Sequence, residues 1–236
     1  MSPSSQDYSS RLDVLRGQLA EQGKRVRRLV EIAFDSFFTA DKEKARSAIE
    51  QDDEIDTCDV AIERATVTLL TRVARDASPL DDTHIRASLN LVKVNNEYER
   101  IADAGVTIAE RAIVLSDNPA RLPATTRVMT NSVLGILRDV TRAYDNRDAT
   151  LARLVLQSEG TVTLFKSEIL RDAECEVSQG RMTVDLAFDL HELASQCLLI
   201  ADHATNIAEQ VIYETTGLIV RHSSGEWIER TVRDAE

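Results

Sequence analysis

The sequence predicts an all-α fold built from two tandem antiparallel three-helix bundles. Glycine and proline are scarce, with eight and four among 236 residues, so few positions would interrupt long helices. Apolar residues recur at spacings of three and four over long stretches, which is the period of helices packed in a bundle. A segment of the first half also recurs in the second half, which indicates an internal duplication.

The duplication is clearest near the end of each half. Residues 99–115, ERIADAGVTIAERAIVL, align without gaps on residues 198–214, LLIADHATNIAEQVIYE, and the two share the triplets IAD and IAE. A second, weaker pair of segments begins at Asp52 in the first half and at Glu159 in the second. Because the two pairs occur in the same order, we interpret each half as one copy of the same unit.

Turn-forming residues divide each half into three helices. The predicted breaks combine proline, glycine or clustered polar residues, and they lie at Ser78-Pro79, 117–126, 145–148 and Gly180. The six predicted helices cover residues 7–39, 42–76, 83–116, 124–145, 148–177 and 182–216. We therefore expect a first bundle over 7–116, a second bundle over 124–216 and a polar C-terminal tail over 217–236.

Charge and hydropathy restrict the classes of function. The net charge of −12 disfavours nucleic acid as a partner, because binding to phosphates requires a concentrated basic face. No apolar run reaches the ~20 residues of a membrane span, and the first residues lack the features of a signal peptide. We expect a cytoplasmic protein without membrane insertion. The basic cluster Lys24, Arg25, Arg27 and Arg28 is interpreted as a solvated helix face, with docking of an acidic partner as the alternative.

Four acidic residues of the first half are predicted to meet. Asp52 and Asp56 lie one helical turn apart, as do Glu99 and Asp103, so each pair occupies one face of its helix. The midpoint between the pairs falls at residues 77–78, beside the predicted turn, so an antiparallel hairpin places Asp52 opposite Asp103 and Asp56 opposite Glu99. Such carboxylates either raise one another's pKa or recruit a hard cation, for which iron, manganese, magnesium and zinc are all candidates. The alternative is a plain solvated acidic face, since all four lie outside the apolar seam on a helical wheel.

The second half repeats this construction with fewer ligands. Its hairpin places Glu159 opposite Asp202, while the other two positions hold Thr163 and Leu198. Asn206 and His203 are the auxiliary ligands within reach. We expect this second metal site to be weaker than the first or absent.

Catalysis is not expected from the motifs. The chain contains no GxSxG, no GxGxxG and no phosphate-binding loop. A carboxylate-bridged di-metal oxidase is the enzymatic alternative, but that class uses inward-facing Glu-x-x-His pairs, which this sequence does not contain. A binding function is therefore favoured over an enzymatic one.

The repeated segments resemble the two signature segments of the PhoU family. The residues that carry the resemblance are ERIAD with IAE in the first half and IADHATNIAEQVIYETTGLIVRH in the second. DDEID and the turn DASPLDDTHIR are also similar to family elements, so the resemblance extends from about residue 8 to 222. It implies a cytoplasmic negative regulator of the phosphate-starvation response, acting at the ATPase of a phosphate ABC transporter and at a sensor histidine kinase. An accessory protein of a low-affinity phosphate carrier would share the fold and is the alternative.

The resemblance also implies a bound metal. Family members hold iron or zinc clusters on their surface through acidic motifs on the last two helices of each bundle, and this pattern maps onto Asp52, Asp56, Glu99 and Asp103. The metal is expected to be iron or zinc, as a divalent or ferric ion.

The chain departs from the family pattern in the second half. Thr163 and Leu198 stand where the family has acidic residues. Leu198 and Leu199 both point away from the predicted seam, so we expect a small apolar patch there, suited to a partner or to a second protomer in a homodimer.

Overall fold

The polypeptide folds into long helices followed by one short hairpin of strands. The computed structural model describes residues 3–75, 80–117, 120, 122–223 and 226–231. The helices are α1 (Pro3–Thr39), α2 (Lys42–Arg75), α3 (Asp82–Ser116), α4 (Ala124–Asn146), α5 (Ala149–Leu156), α6 (Glu159–Ser178) and α7 (Val184–Thr216). The strands are β1 (Leu218–Ser223) and β2 (Glu226–Thr231). Across the described part of the chain, no helix combines the length and the apolar character needed to cross a membrane.

The repeated helices α3 and α7 lie at the centre of the molecule. α1, α2 and α3 pack on one another as one bundle, and α4, α5 and α6 pack on α7 as the other. α3 also packs along α7, and α1 contacts α4, so the two cores are continuous. Both central helices bury many small side chains, which let neighbouring helix axes approach closely. The buried alanines are Ala87, Ala102, Ala104, Ala109, Ala112, Ala194, Ala201, Ala204 and Ala208.

Short polar side chains begin the helices that follow a turn. Asp81 precedes α3 and accepts a hydrogen bond from the backbone N–H of His84 at 2.9 Å, while Thr183 precedes α7 and accepts one from the N–H of Leu186. Such caps satisfy N–H groups that have no partner within the helix. Gly217 ends α7 with a φ of 75°, a conformation that glycine adopts without steric cost. The predicted break at Ser78-Pro79 lies outside the described residues.

The predicted fifth helix is present in two segments. α5 ends at Leu156 and α6 begins at Glu159, whereas the sequence predicts one helix over 148–177. The hydroxyl of Ser158 donates a hydrogen bond to the carbonyl of Leu154, and Gly160 lies two residues further on. Two weak helix formers therefore occur close together here. The prediction of an uninterrupted helix fails because apolar spacing continues on both sides of this break.

Within the polar tail predicted over 217–236, the structure contains two strands that were not predicted. β1 and β2 are antiparallel, with Leu218 opposite Thr231 and Ser223 opposite Glu226. Val220 packs into the core and is 1% exposed, and the guanidinium of Arg221 contacts the carboxylate of Glu209 on α7. The apolar and β-branched run LIV in the first strand and the pair WI in the second, with SSG between them, are the signal that predicts these strands. Residues 232–236 lie outside the described residues.

Candidate functional site

α2 and α3 form the antiparallel hairpin that the acidic residues require. The side-chain amide of Asn95 on α3 donates to the backbone carbonyl of Asp59 on α2 at 3.0 Å and to its carboxylate at 2.6 Å. Counting in opposite directions from this contact places Asp52 and Asp103 at the same height, to within one residue. The register of the structure is therefore the register that the sequence predicts.

The four predicted ligands lie along this hairpin, and we call Asp52, Asp56, Glu99 and Asp103 the carboxylate face. Asp52 and Glu99 are half-buried, whereas Asp56 and Asp103 are exposed. The prediction that the acidic residues lie outside the apolar seam holds for the exposed pair. The half-buried pair lies at the edge of the helix interface, where it is partly removed from water.

The pKa values of the two half-buried carboxylates, Asp52 and Glu99, are raised. Burial raises the pKa of Asp52 to about 6, and the charges of Asp56, Asp103, Asp53 and Glu99 add to this rise. The pKa of Glu99 is also raised, first by burial and then by Asp103, Asp59 and Asp56, while Arg100 opposes the shift. Mutual repulsion of this kind is what a bound cation relieves.

Asp52 carries the most direct sign of a missing positive partner. Its Oδ1 atom is buried and accepts no hydrogen bond within the described residues. A buried carboxylate oxygen without a donor is costly, and hard cations prefer carboxylate oxygen as a ligand. The residues present therefore fit a hard metal ion. Among the described residues, however, no three His, Cys, Asp or Glu side chains are already gathered around one point.

Asp59 is a functional candidate that is not among the residues predicted from the sequence. Burial raises its pKa, and Glu63 and Asp56 add to the rise, while the hydrogen bond from Asn95 opposes it. Its position could have been found from the buried stripe of α2, whose members are Ala45, Ala48, Ile55, Ile62, Thr66 and Leu69. The spacing between successive members of this stripe alternates between three and four residues only if positions 52 and 59 also belong to it. Aspartates thus occupy two positions that the apolar pattern assigns to the interface.

The second predicted site is only partly visible. Asp202 and Asn206 line a groove between α3 and α7, and the side chain of Glu159 lies outside the described residues. The amide of Asn206 donates to the carboxylate of Glu97 at 3.1 Å. The Nδ1 atom of His203 lies 2.7 Å from the same carboxylate oxygen. These two side chains therefore connect α7 to α3 of the other bundle, and metal binding there stays a prediction.

The apolar patch predicted at Leu198 and Leu199 is wrong for Leu198, while Leu199 is exposed as predicted. Leu198 is partly buried and packs against the hydrophobic core, while Leu199 is 40% exposed. Leu198 thus lies at the position that the carboxylate of Glu99 occupies in the first half, and Thr163, the other position without a carboxylate, is exposed. One exposed leucine does not form a patch, and the homodimer stays a prediction.

Fold and site together define a class: duplicated helical-bundle proteins that carry an acidic face on one bundle. The family model described as PhoU domain matches residues 19–112 and again residues 126–211. The chain belongs to the PhoU family, and each half of the duplication corresponds to one of the two matches.

Individual relatives agree with this assignment over nearly the whole chain. The chain is 25% identical over 212 residues to the phosphate-specific transport system accessory protein PhoU homolog 1 of Thermotoga maritima, covering 89% of each protein. It is 29% identical over 220 residues to the PhoU homolog of Pseudomonas putida, covering 92% of this chain and 84% of that protein. The crystal structure of PhoU from Pseudomonas aeruginosa superposes with a TM-score of 0.83 at 25% identity, covering 89% of this chain and 99% of that one.

Proposed function

We propose that this protein is an accessory regulator of a phosphate-specific transport system. The observation that carries the proposal is the family match over both halves of the chain, together with relatives that are named as accessory proteins of such a system. We further propose that it is a cytoplasmic adaptor with two partners, the ATPase of the transporter and a sensor histidine kinase. Its work is binding rather than bond chemistry.

The carboxylate face is proposed to be the metal site of this adaptor. Asp52, Asp56, Glu99 and Asp103 would hold iron or zinc, and the buried Oδ1 of Asp52 supports this assignment. A bound ion would supply positive charge, and open coordination positions on it would accept phosphate oxygens. The exposed carboxylates of Asp56 and Asp103 would turn toward the ion, since they are the two with freedom to change rotamer.

Metal content of purified protein tests this site. Asp52→Asn and Asp103→Asn are each expected to lose most of the iron or zinc that the unchanged protein retains after dialysis, because each removes a charged ligand. Glu168→Gln is the matched control, since Glu168 is an exposed acid on α6, away from the α2–α3 hairpin. Equal metal in all four proteins, or equal losses in all three variants, would show that the carboxylate face is not the site.

Association with the two partners tests the adaptor role. The purified protein is expected to bind the transporter ATPase and the histidine kinase with an affinity that changes when phosphate is added. The Asp52→Asn variant is expected to lose the response to phosphate while keeping its fold by circular dichroism. Absence of binding with and without metal, at both high and low phosphate, would refute the adaptor proposal.

A further inference from the structure

A groove between α1 and α2 lies apart from the carboxylate face, which is on the other interface of α2. The groove has a volume of about 680 Å³. Its floor is apolar and includes Val14, Leu15 and Leu69. Val14 is 60% exposed, although Leu15 and Leu69 are almost fully buried. A large aliphatic side chain left in water beside a groove marks a surface that gains from being covered.

Three arginines stand around this apolar floor. Arg11 belongs to α1, and Arg64 and Arg72 belong to α2. Arg11 forms an exposed ion pair with Asp7 at 2.9 Å. For Arg64 and Arg72, the described part of the chain provides no ion-pair partner. Among the described residues, the groove therefore presents two guanidinium groups, those of Arg64 and Arg72, without an ion-pair partner.

In the basic cluster of α1, which spans residues 24–28, three of the four cations do form ion pairs. Lys24 contacts Glu21 at 2.6 Å, and Arg25 contacts Glu54 at 3.0 Å. Arg27 contacts Glu31 at 3.0 Å. These cations are balanced by neighbours on the same chain, so they offer little to an acidic partner. Arg28, the fourth member of the cluster, is exposed and has no ion-pair partner among the described residues. The groove differs from the cluster because Arg64 and Arg72 lie beside an apolar floor.

We propose that the α1–α2 groove binds an acidic amphipathic helix of a partner protein. Two antiparallel helices leave an elongated groove into which a third helix packs, as α3 does elsewhere on the same pair. The lining residues of α2 extend from Ala61 to Arg72, which is about 16 Å, or three turns of helix. The bound helix places its apolar stripe on the floor and its carboxylates beside the arginines.

Charge selects this occupant over the alternatives. A basic helix is repelled by the arginines at the rim of the groove, whereas carboxylates are attracted to them at close range. An acidic helix meets complementary charge at the rim and an apolar surface at the centre, the usual arrangement of a specific interface. The inference does not depend on metal binding at the carboxylate face.

Fluorescence anisotropy with a pair of labelled synthetic peptides tests the proposal. Both peptides are about 14 residues long, or about four turns of helix, with the same leucine stripe. One carries glutamates on its flanks and the other lysines. We expect the glutamate peptide to bind the full-length protein at least about tenfold more tightly than the lysine peptide. The preference should weaken as salt is added, because the rim charges are exposed.

Charge-reversed variants locate the binding. The double variant Arg64→Glu with Arg72→Glu is expected to bind the glutamate peptide about tenfold more weakly and the lysine peptide more tightly. Val14→Asp is also expected to bind the glutamate peptide more weakly. Arg28→Glu with Arg171→Glu makes the same charge change at exposed positions outside the groove and is expected to change neither affinity by more than about twofold. Circular dichroism confirms that each variant is folded.

Three results would overturn the proposal. The first is equal binding of the two peptides, or no binding of either. The second is self-association of the unchanged protein that Arg64→Glu with Arg72→Glu abolishes, which would make a second copy the occupant. The third is binding of the glutamate peptide only after residues 232–236 are removed, which would make the chain's own end the occupant.

Discussion

Asp52 occupies a position in the buried stripe of α2 that the spacing of its neighbours assigns to an apolar residue. Among the described residues, neither a hydrogen-bond donor nor a cation contacts its buried Oδ1 atom. The raised pKa is the direct consequence, since burial and four neighbouring carboxylates disfavour ionisation. At the scale of the residue, the candidate site is thus a position where stability is lost when no ligand is bound.

The change Asp52→Asn is therefore expected to stabilise the metal-free protein at pH 7. The folded-state pKa of about 6 exceeds the unfolded value of about 3.9, so the folded protein loses stability as pH rises from about 4 to about 6. Solvent screening at this half-buried side chain reduces the effect to about 1 kcal/mol. Urea unfolding in the presence of a chelator measures it, with a smaller gain expected at pH 4.5 than at pH 7.

Asp172→Asn is the control for this measurement, since Asp172 is exposed on α6 and should leave stability unchanged at both pH values. A loss of stability in Asp52→Asn at pH 7 would contradict the argument. Added iron or zinc should make the unchanged protein more stable than Asp52→Asn, because only the unchanged protein is stabilised by binding the ion.

Helix packing depends on small residues at particular heights. Gly105 lies within α3 where that helix meets α1, and a Cβ atom added there would overlap Leu29 Cδ2 and lie 3.2 Å from Val30 Cγ2. Gly135 lies within α4, and a Cβ atom added there meets nothing within 4 Å. At the scale of the element, the same residue type thus has a packing role in one helix and none in the other.

Substituting alanine at the two glycines should change stability in opposite directions. Gly105→Ala is expected to destabilise by about 1–3 kcal/mol, because overpacking displaces α1 from α3. Gly135→Ala is expected to stabilise by about 0.5–1 kcal/mol, because alanine loses less conformational entropy in a helix. Chemical denaturation of the two variants tests both. Similar changes of the same sign would mean that helix propensity, and not close packing, governs Gly105.

The predictability of the elements follows the strength of their local signals. The long helices are predicted to within a few residues, because their apolar spacing and their turn residues agree. The break after Leu156 is missed because it depends on a serine hydroxyl bonding to Leu154, which competes only slightly with a continuing helix. The strand β1 is missed because its apolar run is only three residues long, and the contacts of Val220 and Arg221 with the rest of the fold stabilise it.

The two bundles are joined by a buried carboxylate as well as by apolar packing. Glu214 near the end of α7 is 6% exposed. It contacts the guanidinium of Arg16 on α1, lies 3.7 Å from that of Arg147 after α4, and accepts a hydrogen bond from Asn90 on α3 at 3.3 Å. At the scale of the whole molecule, one side chain thus connects three other elements from both halves.

Removal of this carboxylate should destabilise the whole protein. Glu214→Ala is expected to lower the free energy of unfolding by about 3 kcal/mol, because it removes the buried partner of the largely buried Arg16 guanidinium and leaves it only the exposed Asp13. Asp13→Ala is the matched control: Asp13 contacts the same Arg16 at 3.4 Å from the solvent side, where a pair contributes at most about 1 kcal/mol. Thermal or urea unfolding that shows equal losses for the two variants would contradict a role for Glu214 in joining the bundles.

By itself, the sequence determined the helical class, the duplication, the antiparallel register of α2 on α3 and the four acidic residues on that hairpin. These follow from local periodicity and from counting along the chain, which need no knowledge of distant contacts. Only the tertiary structure decided that Asp52 is buried without a donor, that Asn206 and His203 connect to Glu97, and that Leu198 belongs to the core. Each of these depends on which helices meet across the two halves, and the energy of a carboxylate or a leucine is set by those neighbours and not by its own segment.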